Sequence, residues 1–145
     1  MVEEKKLIEN LFREINGNTG KGSYGLQEVI EYLKNNVVQT LIITDDTNLN
    51  RVEGVCKRCK HIQEEIVERP LVIPKKTEYT NKPCPGCNAM EVEVNEQDIV
   101  DYLELLAAKT GSQLEVISGS AEHGNMLASL GKIGAVLRYN PGHSK

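Results

Sequence analysis

All four cysteines of this chain stand in two CxxC pairs, Cys56-Lys57-Arg58-Cys59 and Cys84-Pro85-Gly86-Cys87, with twenty-four residues between them. Two intervening residues let one tight turn aim both sulfurs at a single ion. Two such turns close a tetrahedral shell of the kind that holds structural zinc. For this to happen two distant turns must meet, so residues 51–94 are expected to form an inserted, zinc-ribbon-like β minidomain with Cys56, Cys59, Cys84 and Cys87 as ligands. Metal binding displaces the thiol protons and leaves the site negatively charged; Lys57, Arg58 and Lys60 are placed to offset it. Gly86 suits a turn that brings backbone N–H groups toward sulfur, and a positive φ is expected there. His61, beside Cys59, is a further possible ligand that four cysteines make unnecessary. A redox dithiol fits less well, because such a pair normally opens a helix that lowers its thiol pKa. Catalytic zinc fits less well too, since four cysteines leave no open position for water.

The surrounding sequence has a different rhythm. Leu7, Ile8, Leu11, Phe12 and Ile15 recur at helical spacing, with Glu3, Glu4, Lys5 and Lys6 outside. A glycine-rich loop from Asn16 to Gly22 ends that helix. A second helix carries Leu26, Val29, Ile30 and Leu33 on one face, and Val37–Thr44 reads as a strand buried on both faces. Short β-like pieces (Arg51–Val55, Glu64–Val67, Met90–Val94) then surround the cysteine turns and a Pro- and Lys-rich stretch from Pro70 to Pro83. Afterwards Ile99, Tyr102, Leu103 and Leu106 mark a helix ending at Thr110-Gly111. A strand at Leu114–Ser118, a short helix at Met126–Leu130 and a final strand at Ile133–Tyr139 complete the chain. The reading is a single α/β domain over residues 1–145, a three-layer sandwich with a mostly parallel sheet, interrupted by the minidomain. The metal is expected to hold an insert with little core of its own.

Composition narrows the function classes. Hydrophobic content of 39% and charged content of 26% fit a folded chain, and one Phe, five Tyr and no Trp imply an aliphatic core. The net charge of −4 supplies no global basic field for nucleic acid. No apolar run approaches a membrane span and no secretory signal is present, so a cytoplasmic protein with reduced thiols is expected. Gly20-Lys21 falls short of a phosphate loop: the first glycine of GxxxxGK falls on Ile15, Gly22 follows the lysine, and the loop follows a helix. Glu122-His123 is a possible acid–base pair in the loop Ser118–Gly124, with no nucleophile near it in sequence; capping of the next helix is the plainer reading. Arg51, Lys57, Arg58, Lys60 and His61 form a local basic cluster that would suit RNA phosphates. His143 and the tail from Pro141 to Lys145 read as a disordered end.

Two segments carry a family resemblance. Asn18-Thr19-Gly20-Lys21-Gly22-Ser23-Tyr24-Gly25, the helix after it and the strand Val38–Thr44 resemble the opening of the C-terminal domain of archaeal and eukaryotic class-1 peptide chain release factors. Gly131-Lys132-Ile133-Gly134-Ala135-Val136-Leu137-Arg138-Tyr139 resembles that family's closing strand, GGIGGILRY or close to it, with Ala135 in place of a glycine. The likeness runs from about Phe12 to Tyr139, and the paired cysteines look like the archaeal branch. It implies an α/β sandwich fold shared with kink-turn-binding ribosomal proteins. It also implies docking to a translation-factor GTPase and to an ABC-type ribosome-recycling ATPase, with Gly134, Val136, Leu137, Arg138 and Tyr139 at the partner-binding motif and the minidomain turned toward the ribosome. Full-length members read stop codons with one domain and trigger peptide release with another that carries GGQ. Neither motif occurs here, so the third domain alone is expected, non-catalytic and monomeric, with Met1 a cloning start. An RNA-binding zinc or kink-turn module and the related ribosome-rescue factor Pelota are the alternatives, and a dithiol redox enzyme is a third.

Overall fold

The computed structural model describes residues 4–141, and His143 and most of the tail lie outside them. The chain forms two compact units: one from the described residues up to Thr47 and from Leu103 onward, the other Asn48–Tyr102. In order, the elements are α1 (Glu4–Asn16), β1 (Gly22–Tyr24), α2 (Leu26–Lys34), β2 (Val38–Thr44), β3 (Leu49–Cys56), β4 (Ile62–Glu68), α3 (Val72–Asn81), β5 (Val92–Asp98), α4 (Ile99–Thr110), β6 (Gln113–Ile117), α5 (Glu122–Ala128) and β7 (Ile133–Leu137). No helix among the described residues is long and apolar enough to cross a membrane.

In the first unit, helical spacing on α1 delivers Ile8 and Leu11 into a core with Ile42, Ile117, Leu127 and Val136, and Leu7, Phe12 and Ile15 pack against it. On β2 the successive residues Leu41, Ile42 and Ile43 are all buried. Neighbouring side chains of a strand point to opposite faces, so both faces of the sheet are covered there. Helix α2 buries Val29, Ile30 and Leu33, and α4 stops before Gly111, whose φ of +70° suits the chain reversal.

The expected mostly parallel sheet is corrected. The strand order is β1-β7-β2-β6. Only β2 and β6 run parallel, while β7 lies antiparallel to both β2 and β1. A buried apolar strand such as β7 reads the same in either direction. Its direction is set by the path of the connection, here the return over α5, which periodicity does not encode. Strand β1, only three residues long, begins at the last glycine of the expected loop and runs on to Tyr24.

One buried group stands out. The Thr44 hydroxyl, at the end of β2, has no hydrogen-bond partner. An unpaired buried hydroxyl costs about 1–3 kcal/mol, so Thr44→Val, of the same shape, is expected to raise unfolding stability by about 1 kcal/mol, read from urea midpoints at unchanged m-value.

The second unit is a three-stranded antiparallel sheet of order β4-β3-β5. Its strands extend past the short pieces read from sequence, from Leu49 in β3 to Asp98 in β5. Helix α3 fills the Pro/Lys-rich stretch, which carries little helical periodicity. Pro74 is tolerated because it sits in the first turn, where N–H groups have no intrahelical acceptor. The helix supplies Val72 and Tyr79 to a core with Val52 and Val67, flanked by Val92 and Val94. The expectation of an insert with little core is therefore corrected: this unit has a small apolar core in addition to its cysteines.

Candidate functional site

The four cysteines meet. Cys56 ends β3, and two backbone hydrogen bonds close its turn: Lys60 N–H to Cys56 O at 2.9 Å and Cys56 N–H to His61 O at 2.9 Å. The second turn repeats the pattern, with Asn88 N–H to Cys84 O at 2.7 Å and Cys84 N–H to Ala89 O at 2.8 Å. In each turn the residue four beyond the first cysteine is left-handed: Lys60 at φ 67° and Asn88 at φ 66°. Positive φ thus falls on Lys60 and Asn88 rather than on Gly86. Gly86 serves differently. Its N–H donates to Cys84 Sγ at 3.2 Å, and a Cβ there would press to 3.3 Å on Cys59 Sγ. The Lys57 N–H donates to Glu91 O at 2.9 Å and so ties the first turn to the chain entering β5.

The sulfurs fit a tetrahedral ion. Cys56 Sγ lies 3.6 Å from Cys87 Sγ, Cys59 Sγ lies 3.6 Å from Cys84 Sγ, and all four fall within 4.8 Å of one another. A tetrahedron of Zn–S bonds of about 2.3 Å has edges of about 3.8 Å, whereas a disulfide needs about 2.05 Å. Ionisation of the set is contested. The Cys59 backbone N–H is the main influence drawing the Cys56 thiol down to about 6, with help from Arg58 N–H against the cost of burial. Cys59 is pushed up to about 12: the His61 N–H favours its thiolate, but burial and the three neighbouring sulfurs oppose it more strongly. A divalent cation removes this conflict, because it makes all four thiolates favourable at once. Among the described residues these cysteines are the one group of three or more potential metal ligands, so neither His61 nor the Glu122–His123 pair joins a ligand set.

The basic cluster divides. Lys57, Arg58, Lys60 and His61 are exposed on the first cysteine turn, with Arg58 3.8 Å from Glu91. Arg51 does not stand with them. Its guanidinium meets Glu64 at 2.6 Å and Glu53 at 3.2 Å, and lies 4.7 Å from the Tyr102 ring centroid. That network, formed by cross-strand pairing of β3 with β4, removes Arg51 from the candidate RNA contacts.

The partner motif divides as well. Gly134, Val136 and Leu137 lie inside β7, where every residue is buried. Gly134 is required by packing, since a Cβ there would stand 2.5 Å from Leu11 Cδ2. Arg138 is exposed but engaged: it donates to Asn36 O at 3.1 Å and Thr110 O at 2.8 Å, just past α2 and at the end of α4. A cation at these carbonyl-rich helix ends is favourable. Arg138→Met, which keeps the stem, is expected to cost about 1–2 kcal/mol by thermal unfolding. Tyr139, 53% exposed, is the motif residue open to a partner. Gly134, Val136 and Leu137 are buried because β7 sits between β1 and β2, so their part in the motif is to build the sheet.

Comparison with known proteins follows the same outline. A family model described as eRF1 domain 3 matches residues 1–141. Peptide chain release factor subunit 1 of Methanocaldococcus jannaschii is 30% identical over 141 residues, covering 96% of this chain and 34% of that protein. The chain thus spans about a third of the length of that curated relative. Among solved structures, the C-terminal domain of peptide chain release factor from Methanosarcina mazei is similar with a TM-score of 0.79 and 27% identity, over 96% of this chain and 83% of that one. An archaeal Pelota, in a model bound to the ribosome with ABCE1, shares the fold at a TM-score of 0.51 and 20% identity, over 94% of this chain and 26% of that one.

Proposed function

The chain belongs to the eRF1 domain 3 family, and on that premise we propose that it is the C-terminal, partner-docking domain of an archaeal class-1 peptide chain release factor, with no catalytic centre of its own. The observation that carries this reading is the family match across residues 1–141, on a chain whose reactive-looking groups, the four cysteines, form a closed set of ligands. In this reading it is one domain with the second unit inserted, its first unit a three-layer sandwich as the burial of both faces of β2 suggests. Its partners are a translation-factor GTPase and an ABC-type ribosome-recycling ATPase, and it works in the cytoplasm as a monomer. The ATPase proposal draws on the fold shared with the ribosome-bound Pelota seen with ABCE1. Within the closing motif, Tyr139 is the residue offered for contact.

Zinc is the proposed metal, held by Cys56, Cys59, Cys84 and Cys87 in a purely structural role. The spacing of the sulfurs and the N–H groups aimed at them support it.

The test uses stalled ribosomes carrying peptidyl-tRNA, with the GTPase in its GTP form and the recycling ATPase as binding partners. Binding to at least one partner without peptide release is the expected result. Peptide release by the chain alone, or failure to bind either partner, sinks the reading.

A second reading is favoured by one specific observation, the exposure of Lys57, Arg58 and Lys60 on one turn: this turn touches RNA phosphates, on the ribosome or on a kink-turn RNA. If it does, replacing the three with alanine lowers the slope of log affinity against log salt by about 2–3. An unchanged slope removes RNA contact from the account.

A further inference from the structure

In the second unit β5 has a strand on one side only. It pairs with β3, and among the described residues no strand pairs with its other side. Such an edge presents unpaired N–H and C=O groups and accepts a further extended segment by backbone hydrogen bonding. The two faces beside this edge differ in chemistry. On the helix side a groove of about 440 Å³ runs between α3 and β5, lined by Ile73, Lys76, Thr77, Thr80, Asn81 and Val94. Ile73 is 74% exposed, the highest value among the exposed large apolar side chains of the described residues. The Lys76 ammonium is held 3.0 Å from Glu96, which offsets its charge. A second depression of about 250 Å³ is lined by Arg51, Glu53, Asn95, Glu96 and Gln97, of which Asn95 and Gln97 alternate with Val94 onto the face away from the helix. Its cation, Arg51, is shared between Glu53 and Glu64, so the surplus there is negative, and exposed Glu93 adds to it.

Side chains of a strand alternate between faces. A segment laid along β5 therefore sends one set of residues toward Ile73 and Val94 and the alternate set toward Glu53, Asn95 and Gln97. We propose that the free edge of β5 is a docking surface for an extended segment of a protein partner in which apolar residues alternate with Lys or Arg. The apolar set covers Ile73; the basic set answers the carboxylates. A second copy of this chain is a poor occupant, because β5 itself alternates valine with acid at Val92-Glu93-Val94. Two copies paired through it would bring together strands that each carry Glu93, Glu96 and Asp98 and no cation, so neither answers the other's charge.

The test uses the full chain with its metal, labelled for amide NMR, and three synthetic peptides about eight residues long, enough to run the length of β5. One alternates Val and Lys, one has the same composition in two blocks, and one alternates Val and Glu. The alternating Val–Lys peptide is expected to bind, with amide shifts confined to β5 and α3, and the other two are not. Ile73→Glu is expected to weaken that binding by at least about tenfold, as loss of a central apolar anchor does. Its exposed position leaves the fold intact, and the milder Ile73→Ser gives a smaller loss in the same direction. Equal binding of the blocked peptide overturns the proposal, as do amide shifts elsewhere or an effect of Ile73→Glu within about twofold. A concentration-dependent dimer of the chain that buries β5 overturns it in favour of a second copy.

Discussion

Cys56→Ser is expected to abolish stoichiometric zinc binding and to unfold the cysteine-turn end of the second unit, while the first unit keeps its native amide spectrum. The difference lies in what else each unit has to hold it. Structural zinc contributes on the order of 10–16 kcal/mol to small zinc-built folds, and one missing ligand of four forfeits a large share of that. The second unit, at under about 60 residues, is in the size range where a core alone is marginal. Its core is Val52, Val67, Val72 and Tyr79, with each fully buried side chain worth about 1.5–3 kcal/mol. The first unit has Ile8, Leu11, Ile42, Ile117, Leu127 and Val136 in one cluster and further buried residues on α2. Hydrogen exchange reads the outcome directly. Protection is expected to vanish over Cys56–Ile62 and Cys84–Val92, fall across β3 and β5, and persist in β2 and β7. A chelator should reproduce the pattern in the unmodified chain. So should acid, because the metal-held form requires four thiolates and binds fewer protons than the released form, so its stability falls as pH drops. Full protection in Cys56→Ser with metal still bound at one per chain contradicts this account.

Gly124→Ala is the second large effect, and its sign is what makes it informative. Inside an exposed helix, glycine to alanine stabilises by about 1 kcal/mol, because alanine loses less backbone freedom on folding. Here a Cβ on Gly124 would lie 2.0 Å from Ser118 O and 2.8 Å from Gly119 Cα. Both are backbone atoms of the loop after β6, which cannot swing aside as a side-chain end can. Helix α5 must lift, and Leu127, fully buried in the first unit's core, lifts with it. A loss of about 3 kcal/mol or more is expected, at the upper end of overpacking costs. Urea unfolding measures it. A variant as stable as the parent, or more stable, shows that α5 does not need the close approach.

What was legible beforehand follows from local chemistry. The helical spacing of Leu7, Ile8, Leu11, Phe12 and Ile15 leaves one apolar face, and that face is where α1 packs. In the run from Val37 to Thr44 the consecutive Leu41, Ile42 and Ile43 leave no polar side to turn outward, and β2 is buried on both faces there. The CxxC spacing constrains each turn by itself, and the sulfurs meet. The misses share another cause. Arg51 looked like part of a basic patch because Lys57, Arg58 and Lys60 follow it within ten residues; the pairing of β3 with β4 brings Glu64 diagonally across to it instead. In the closing motif, insertion of β7 between two strands buries Gly134, Val136 and Leu137 and leaves Arg138 and Tyr139 exposed, a division that depends on which strands lie beside it. Helix α3 has few apolar positions to repeat, and its packing rests on Val72 and Tyr79 against Val52, Val67, Val92 and Val94 of three different strands.

The two cysteine pairs thus set how this chain must close upon itself, since spacing, thiol chemistry and ion geometry are all local properties that survive without knowledge of the fold. The direction of β7, the burial of its motif, the pairing of Arg51 and the exposed edge of β5 were decided only in three dimensions. Each depends on which strand lies beside which, and that is settled by long-range burial and chain path rather than by the residues next to one another in sequence.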